Sequence, residues 1–412
     1  MVKQIKNKIK HTFRALKHRY FRLFWVGQWI SVTGTWMQTM ALSWLIYRLT
    51  DSPIALGLLA VARFGPSLLG SPFAGVLADK LPRRNIVLTT QTISMVNASI
   101  LAALTLTGII QVWEILVIAF LQGCVDTMDM TARQTLQMDL VGPSDLQSAI
   151  SLNSAAFNAG RIVGPAIAGV LVAIWDEGIC FLFNAVSYLA VLISLFVIKV
   201  ASQINKKKSS IKKEILEGMK YVWSSPDIRK LISSIAITST MGQAAMLTLT
   251  PILARDVLKA GPTGYGSLLA GSGIGAIIGA LITATRNGNQ GTFLINALGQ
   301  GTLGIGLIAV ALTPHIEIST LWMVLTGMSV AVQLSSTNAY LQTNSPPHLR
   351  GRVISLYIWM FTGLAPIGSL LAGFLAEHLG VVATAIICGF VCITGSIFYG
   401  IIPIVKKREQ SV

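Results

Sequence analysis

Charge is scarce in this 412-residue chain: Asp, Glu, Lys and Arg make up 12% of it, and only 16 residues are acidic. So little charge leaves no stretch able to clothe a soluble domain of useful size. Cysteine is equally sparse. Cys124, Cys180, Cys388 and Cys392 lie within or at the edges of apolar runs without CxxC spacing, which argues against a disulfide framework or zinc site and for inert packing. Cys388 and Cys392 share a helix face at i, i+4, yet no His or carboxylate lies nearby in sequence to complete a metal site. The histidines, His11, His18, His315, His348 and His378, sit in tails or near helix ends, where surface roles are expected over catalysis. There is no Walker A pattern, so ATP is not expected to drive the chain directly. The first 20 residues are basic, without an apolar core leading to a small-residue cleavage site, and are not read as a cleaved signal peptide.

What fills the chain instead is hydrophobic sequence, 53% of residues at a mean hydropathy of +0.67. Twelve long apolar runs are separated by short polar connections. A bilayer core of roughly 30 Å needs about 20 helical residues, and runs such as 86–110, 179–198 and 381–402 satisfy this without an internal charge. In lipid each backbone N–H and C=O must be paired within its own segment, so the runs are expected to be helices of an all-α membrane protein.

The net charge of +16 is distributed by loop. Lys3, Lys6, Lys8, Lys10, Arg14, Lys17 and Arg19 precede the first run, and Lys206, Lys207, Lys208, Lys212, Lys213 and Lys220 follow the sixth. Lys80, Arg83, Arg84, Arg286, Arg350, Arg352, Lys406, Lys407 and Arg408 continue the series on alternate loops, while the intervening loops hold Arg48, Arg255 and Lys259 against Asp51, Glu114, Asp176, Glu177, Asp256, Glu317 and Glu377. The positive-inside rule then places both termini and the middle connection in the cytoplasm, and assigns the basic surplus to topology and anionic lipid, with no nucleic-acid partner.

The runs fall into two groups of six. The boundaries read as a basic segment 1–20, a bundle 21–198, a connector 199–228, a second bundle 229–404 and a tail 405–412. In the connector, Ile211, Ile215, Met219 and Val222 recur at helical spacing among Lys212, Lys213, Glu214, Glu217 and Lys220 and stop before Pro226, which describes an amphipathic helix along the cytoplasmic leaflet. The groups also repeat: Ile150-Ser151-Leu152 matches Ile354-Ser355-Leu356, and Gly164, Ala168, Gly169 and Leu171 match Gly368, Ala372, Gly373 and Leu375, all at an offset of 204. Parallel six-span repeats are a transporter architecture, one half rocking against the other about a site near the midplane.

Gly75-Val76-Leu77-Ala78-Asp79-Lys80-Leu81-Pro82-Arg83-Arg84 resembles the loop signature G-x-L-A-D-[RK]-x-G-[RK]-[RK] of the major facilitator superfamily, with Pro82 where that family usually has glycine. Gly160-Arg161-Ile162-Val163-Gly164-Pro165-Ala166-Ile167-Ala168-Gly169 resembles its antiporter signature G-x3-GP-x2-GG, with Ala168 for one glycine. The R-x2-QG element of many proton-linked exporters is half present, since Gln122-Gly123 is preceded by Ala119 at the arginine position. Segments 217–226 and 256–280 are similar to the branch containing the enterobactin exporter and macrolide efflux proteins. The resemblance covers nearly the whole chain and implies the twelve-helix major facilitator fold in two six-helix pseudo-repeats. It further implies that Asp79 meets the N-terminal dipole of the eleventh span near Gly351, while Arg83 pairs with an acid at the end of the fourth span, Asp129 or Asp139. Gly160, Gly164, Pro165 and Gly169 would seal the outer side of a cavity in an exporter.

An ionisable group at bilayer depth costs from about 2.5 kcal/mol upward, so each one is a functional candidate. Arg63, Asp126, Asp129 and Arg161 qualify, and the second half has no such charge. Asp126, about 16 Å into its span at 1.5 Å per residue, is read either as a protonation site or as a partner of Arg161 or Arg63. Asp129, four residues before Arg133, is assigned to the cytoplasmic gate. Trp36, Gln38, Arg63, Asp126, Arg161, Gln243, Gln333, Asn338 and Trp359 are the candidate cavity lining. The expectation is a monomeric secondary transporter of the bacterial cytoplasmic membrane that uses the proton motive force and no bound cofactor. Its substrate would be a small organic compound, siderophore-like or another anionic or amphipathic metabolite or a drug, and its direction export. An importer of a nutrient anion and a transporter-like receptor are the alternatives; no enzyme constellation is present.

Overall fold

The computed structural model describes residues 13–198, 211–286, 288 and 291–401, with backbone alone at 69, 71–80, 211–215, 400 and 401. Among the described residues the regular structure is helical, without strands. After a single 3₁₀ turn at Arg14–Lys17 come α1 (Arg19–Thr50), α2 (Pro53–Lys80), α3 (Arg83–Leu106), α4 (Val112–Ile174) and α5 (Glu177–Val197). They are followed by α6 (Ile211–Ser224), α7 (Pro226–Val257), α8 (Gly261–Ala284), α9 (Thr292–Leu312), α10 (Ile316–Asn344), α11 (Arg350–Leu379) and α12 (Val381–Tyr399). Nine helices among the described residues are long and apolar enough to cross a membrane. One of them, the 63-residue α4, holds two of the expected spans, divided at Gly142. There φ is 73° and ψ 172°, a conformation that glycine adopts without steric cost. Helices α1 and α2, also expected as spans, are helical, and among the described residues α2 contributes the shorter apolar stretch Pro53–Leu68.

Local chemistry sets the ends. Glu114 Oε2 accepts from the Gln111 backbone N–H at 2.8 Å in a capping box that opens α4. Asp176 Oδ1 caps α5 by accepting from the Gly178 N–H at 2.7 Å. Pro226 stands in the first turn of α7, where its missing N–H costs nothing, and Gly380, at φ 85°, ends α11. Pro82 precedes α3 at φ −58°, the value its ring imposes, so proline fits without strain where the resembling motif has glycine.

The chain forms two compact units, one of residues 1–45 and 69–207, the other of Ile46–Leu68 and residues 208–412. In the first, α3 packs on α4 and α5, and a core of Phe21, Phe24, Leu136, Leu140, Leu152, Val191 and Leu195 closes around the Gly142 kink. The N-terminal turn docks there: the Ala15 N–H donates to Ser148 Oγ at 3.0 Å, and His18 Nε2 lies 2.9 Å from Asp145 Oδ2. In the second, α10 packs on α8 and α9, and α9 on α12. Small residues set these approaches: a methyl on Gly275 would fall 1.9 Å from the Val324 carbonyl oxygen, and one on Gly327 1.9 Å from that of Ser272.

The sequence repeat survives as a repeat of contacts. A methyl on Gly164 would meet Trp36 Cβ at 2.7 Å, and one on Gly368 would meet the Thr240 oxygen at 2.3 Å; both the glycines and their partners are 204 positions apart. Outward faces stay apolar, with Phe183, Val186, Ile193 and Phe196 of α5 all more than half exposed. In water such a face would drive association, whereas in a bilayer it is the solvated surface.

Candidate transport site

Inside the first unit a row of polar side chains runs along the facing sides of α3 and α4. At the Asn97 level, Asn97 Nδ2 donates to Gln122 Oε1 at 3.3 Å, and Gln122 Nε2 donates to Ser94 Oγ at 2.9 Å and to Asp126 Oδ1 at 2.8 Å. One turn along, the buried Asp129 accepts from Thr90 Oγ1 at 2.7 Å and Gln91 Nε2 at 3.0 Å, and its other oxygen is ion-paired with Arg133. At the end of the row Arg83 NH1 meets Asp139 Oδ1 at 2.7 Å, both side chains 13% exposed. From Arg83 to Asn97 the row climbs about 21 Å along α3 at 1.5 Å per residue. Three carboxylates, Asp126, Asp129 and Asp139, are thus set at successive depths on one helix, in surroundings where each needs and has a donor.

Of the two acids considered for Arg83, the structure brings Asp139 to it, while Asp129 is engaged within its own helix by Arg133. Arg84 turns the other way: its Nε donates to the Leu195 carbonyl at 2.8 Å, satisfying an orphan acceptor at the end of α5. Gly75 and Asp79 fall in the last turns of α2, and the Asp79 side chain lies outside the described residues, as therefore does its expected docking near Gly351, which stands in the first turn of α11.

A second polar feature is built by the small residues of α4. Gly160 and Gly164 press against Val32, Thr33 and Trp36 of α1, and Pro165, Ala168 and Gly169 are buried beside them. That approach seats the Arg161 guanidinium 5.9 Å from the Trp36 ring centroid, and Phe157 meets Trp36 edge-on at 5.5 Å. The result is a cation held over an aromatic face, next to a half-exposed ring.

Two positions assigned to the cavity lining are instead packed between helices. Gln38, 5% exposed, accepts from Asn184 Nδ2 of α5 at 2.7 Å. Gln333 is fully buried, donating to Ser234 Oγ at 3.1 Å and accepting from Thr238 Oγ1 at 2.9 Å, in a network with Asn296, Gln300 and Thr337 that joins α7, α9 and α10. In an apolar helix an amide cannot be buried unpaired, so these two mark helix–helix contacts. Gln243 is half-buried in a widened π-helical turn of α7, Thr238–Gln243. Asn338 is half-buried and accepts from Gln342 at 2.7 Å, Trp359 is 43% exposed, and Arg63, in the second unit, stands 6.0 Å from the Phe64 ring.

Sequence reasoning passed over the Thr90, Gln91, Ser94, Asn97 row, although four polar residues at helical spacing inside an apolar run were its signal. It also missed a cluster in the second unit. There Arg255 NH2 meets Asp51 Oδ1 at 2.6 Å, its guanidinium lies 5.0 Å from the Tyr47 ring, and the Tyr47 hydroxyl donates to Asp256.

A bundle of apolar-faced helices with polar seams and buried ion pairs inside is an integral, multi-pass membrane protein. A family model described as "Transmembrane secretion effector" matches residues 10–411, and the chain belongs to that family of the major facilitator superfamily. It is 29% identical over 397 residues to the Staphyloferrin A transporter of Staphylococcus aureus, covering 95% of this chain and 98% of that one. It is 26% identical over 363 residues to the Multidrug efflux pump Tap of Mycolicibacterium fortuitum, with 85% and 88% covered. Among solved structures, the nucleoside transporter NupG superposes with a TM-score of 0.75 at 12% identity, covering 92% of this chain and 98% of that one, a likeness of fold. As a transporter of this superfamily the chain takes a small-molecule substrate.

Proposed function

We propose that the chain is a proton-driven exporter of a small acidic metabolite, siderophore-like in carrying carboxylate or catecholate groups, and that it works by alternating access in the bacterial cytoplasmic membrane with both termini inside. The observation that carries this reading is the pairing, within one unit, of Arg161 fixed over Trp36 with a row of carboxylates that begins at Asp126. Arginine stays protonated in proteins and binds carboxylate through two parallel hydrogen bonds, so Arg161 is the anion-recognising group. Asp126 is the proton carrier: its protonation and release couple the substrate-loaded and empty states, and Asp129 and Asp139 hold the α3–α4 seam rigid below it. The proton motive force supplies the energy without a bound cofactor, and the monomer suffices. The names of the Staphyloferrin A transporter and the Tap pump support transport of small organic compounds and differ in substrate class.

Binding of matched anionic, neutral and cationic compounds to the purified protein tests it. The anion should bind best, and Arg161→Gln should weaken it about 10–100-fold, the worth of one charged hydrogen-bonding partner. Tight binding of cations, indifferent to Arg161→Gln and Arg63→Gln, would return the chain to drug efflux.

A further inference from the structure

We infer that α6 carries an interfacial site for anionic phospholipid, coupled through an ion pair to the first turn of α11. The inference needs the chain to be a membrane protein and is independent of what it transports.

Helix α6 has two different faces. Toward the protein, Gly218 lets the helix approach so closely that a methyl there would lie 3.0 Å from Arg352 Cβ. Val222 is buried with Ile228, Ile232, Val353 and Tyr357. Glu217 forms an ion pair with Arg352, near the start of α11. On the opposite face Leu216, Met219 and Trp223 are 65%, 50% and 74% exposed. Their i, i+3, i+7 spacing makes one apolar stripe one turn wide. Trp223 does not hang free at the helix end: Arg229 NH1 donates to its carbonyl at 3.1 Å, and the guanidinium sits 5.7 Å from its ring.

Charge decides what covers the stripe. Lys212, Lys213, Lys220 and Arg229 belong to the helix and its C-terminal flank, and Lys206, Lys207 and Lys208 precede it in sequence. Against them stand Glu214, Glu217 and Asp227; Glu217 is spent on Arg352, and Asp227 lies 3.9 Å from Lys230. An apolar stripe bordered by cations, with a tryptophan and an arginine at one end, is the composition of a helix lying at headgroup depth. The cation excess selects a negatively charged leaflet over a zwitterionic one, by about fivefold in partition per basic residue near the surface. Because Glu217 ties this helix to Arg352, a lipid that holds α6 also holds the first turn of α11.

The test uses the full chain in nanodiscs of equimolar phosphatidylglycerol and phosphatidylcholine, with either the phosphatidylglycerol or the phosphatidylcholine brominated. Trp223 is isolated as the difference between wild type and Trp223→Phe, a substitution at an exposed site that keeps an aromatic ring. Its fluorescence should be quenched more by the brominated anionic lipid, and the preference should vanish at high salt. Lys220→Gln should lower the preference about fivefold. Hydrogen exchange at residues 350–356 should be slower in these discs than in discs of phosphatidylcholine alone, and Glu217→Gln should erase that difference while leaving the quenching intact. Equal quenching of wild type and Trp223→Phe would place the indole in water and overturn the site. Equal quenching by the two lipids would overturn its selectivity, and exchange at 350–356 that ignores lipid charge in the wild type would overturn the coupling.

Discussion

At the scale of single residues, two side chains do different work and should fail differently. Asp126 is hydrogen-bonded by Gln122 in the α3–α4 seam, and Asp126→Asn keeps the volume and one acceptor while removing the titratable proton. The expected outcome is loss of uphill transport with energy-independent exchange retained, measured as counterflow in vesicles. Gly164 is structural. Its missing side chain admits Thr33 and Trp36 of α1, and Gly164→Val would drive a branched carbon into the Thr33 carbonyl oxygen, 2.7 Å from the position of Cβ. Backbone cannot yield as a side-chain tip does, so destabilisation of about 1–3 kcal/mol is expected, read as a lower midpoint in thermal unfolding in detergent. Gln38 and Gln333 show where residue-level reading stops. Sequence marks both as polar groups that cannot face lipid, but an amide facing a neighbouring helix and one facing a cavity leave the same trace in an apolar run.

At the scale of helices, the ion pairs divide by exposure. Arg83 and Asp139 join α3 to α4 with both side chains 13% exposed, whereas Arg255 and Asp51 are 34% and 70% exposed. Little solvent screens the first pair, so a double-mutant cycle through Arg83→Ala and Asp139→Ala should return a coupling of about 0.5–3 kcal/mol. The same cycle on Arg255 and Asp51 should return about 0.2–1 kcal/mol and fall with added salt. That Arg83 would seek an acid on the following helix was legible in the loop motif. Which acid was not, because the choice depends on how far α3 slides along α4, and the slide is fixed by packing around Gly142 and Ala132 rather than by any local pattern. The same kink explains why the pairing of His18 with Asp145 was invisible: the two are 127 residues apart and meet only because the chain turns there.

For the molecule as a whole, the helical membrane fold was readable because lipid leaves the backbone few alternatives, and the internal repeat because Gly164 and Gly368 keep their partners at the same offset. The substrate was not, since relatives of comparable similarity carry names as different as a siderophore transporter and a multidrug pump. The energetics of the proposed cycle are adequate. One proton moving inward down roughly 100 mV and one pH unit releases about 3.7 kcal/mol, enough for several-hundred-fold accumulation of a neutral solute, and an anion moving outward gains a further ~2.3 kcal/mol per charge from the inside-negative potential. The most direct test takes the acidic compound released by cells that carry the chain and withheld by cells that lack it, and follows its uptake into everted membrane vesicles as the lumen is acidified. The account predicts accumulation in the lumen that grows with the proton gradient, collapses with a protonophore and is absent in Asp126→Asn. Accumulation indifferent to the gradient, or gradient-driven movement out of the lumen, would contradict it.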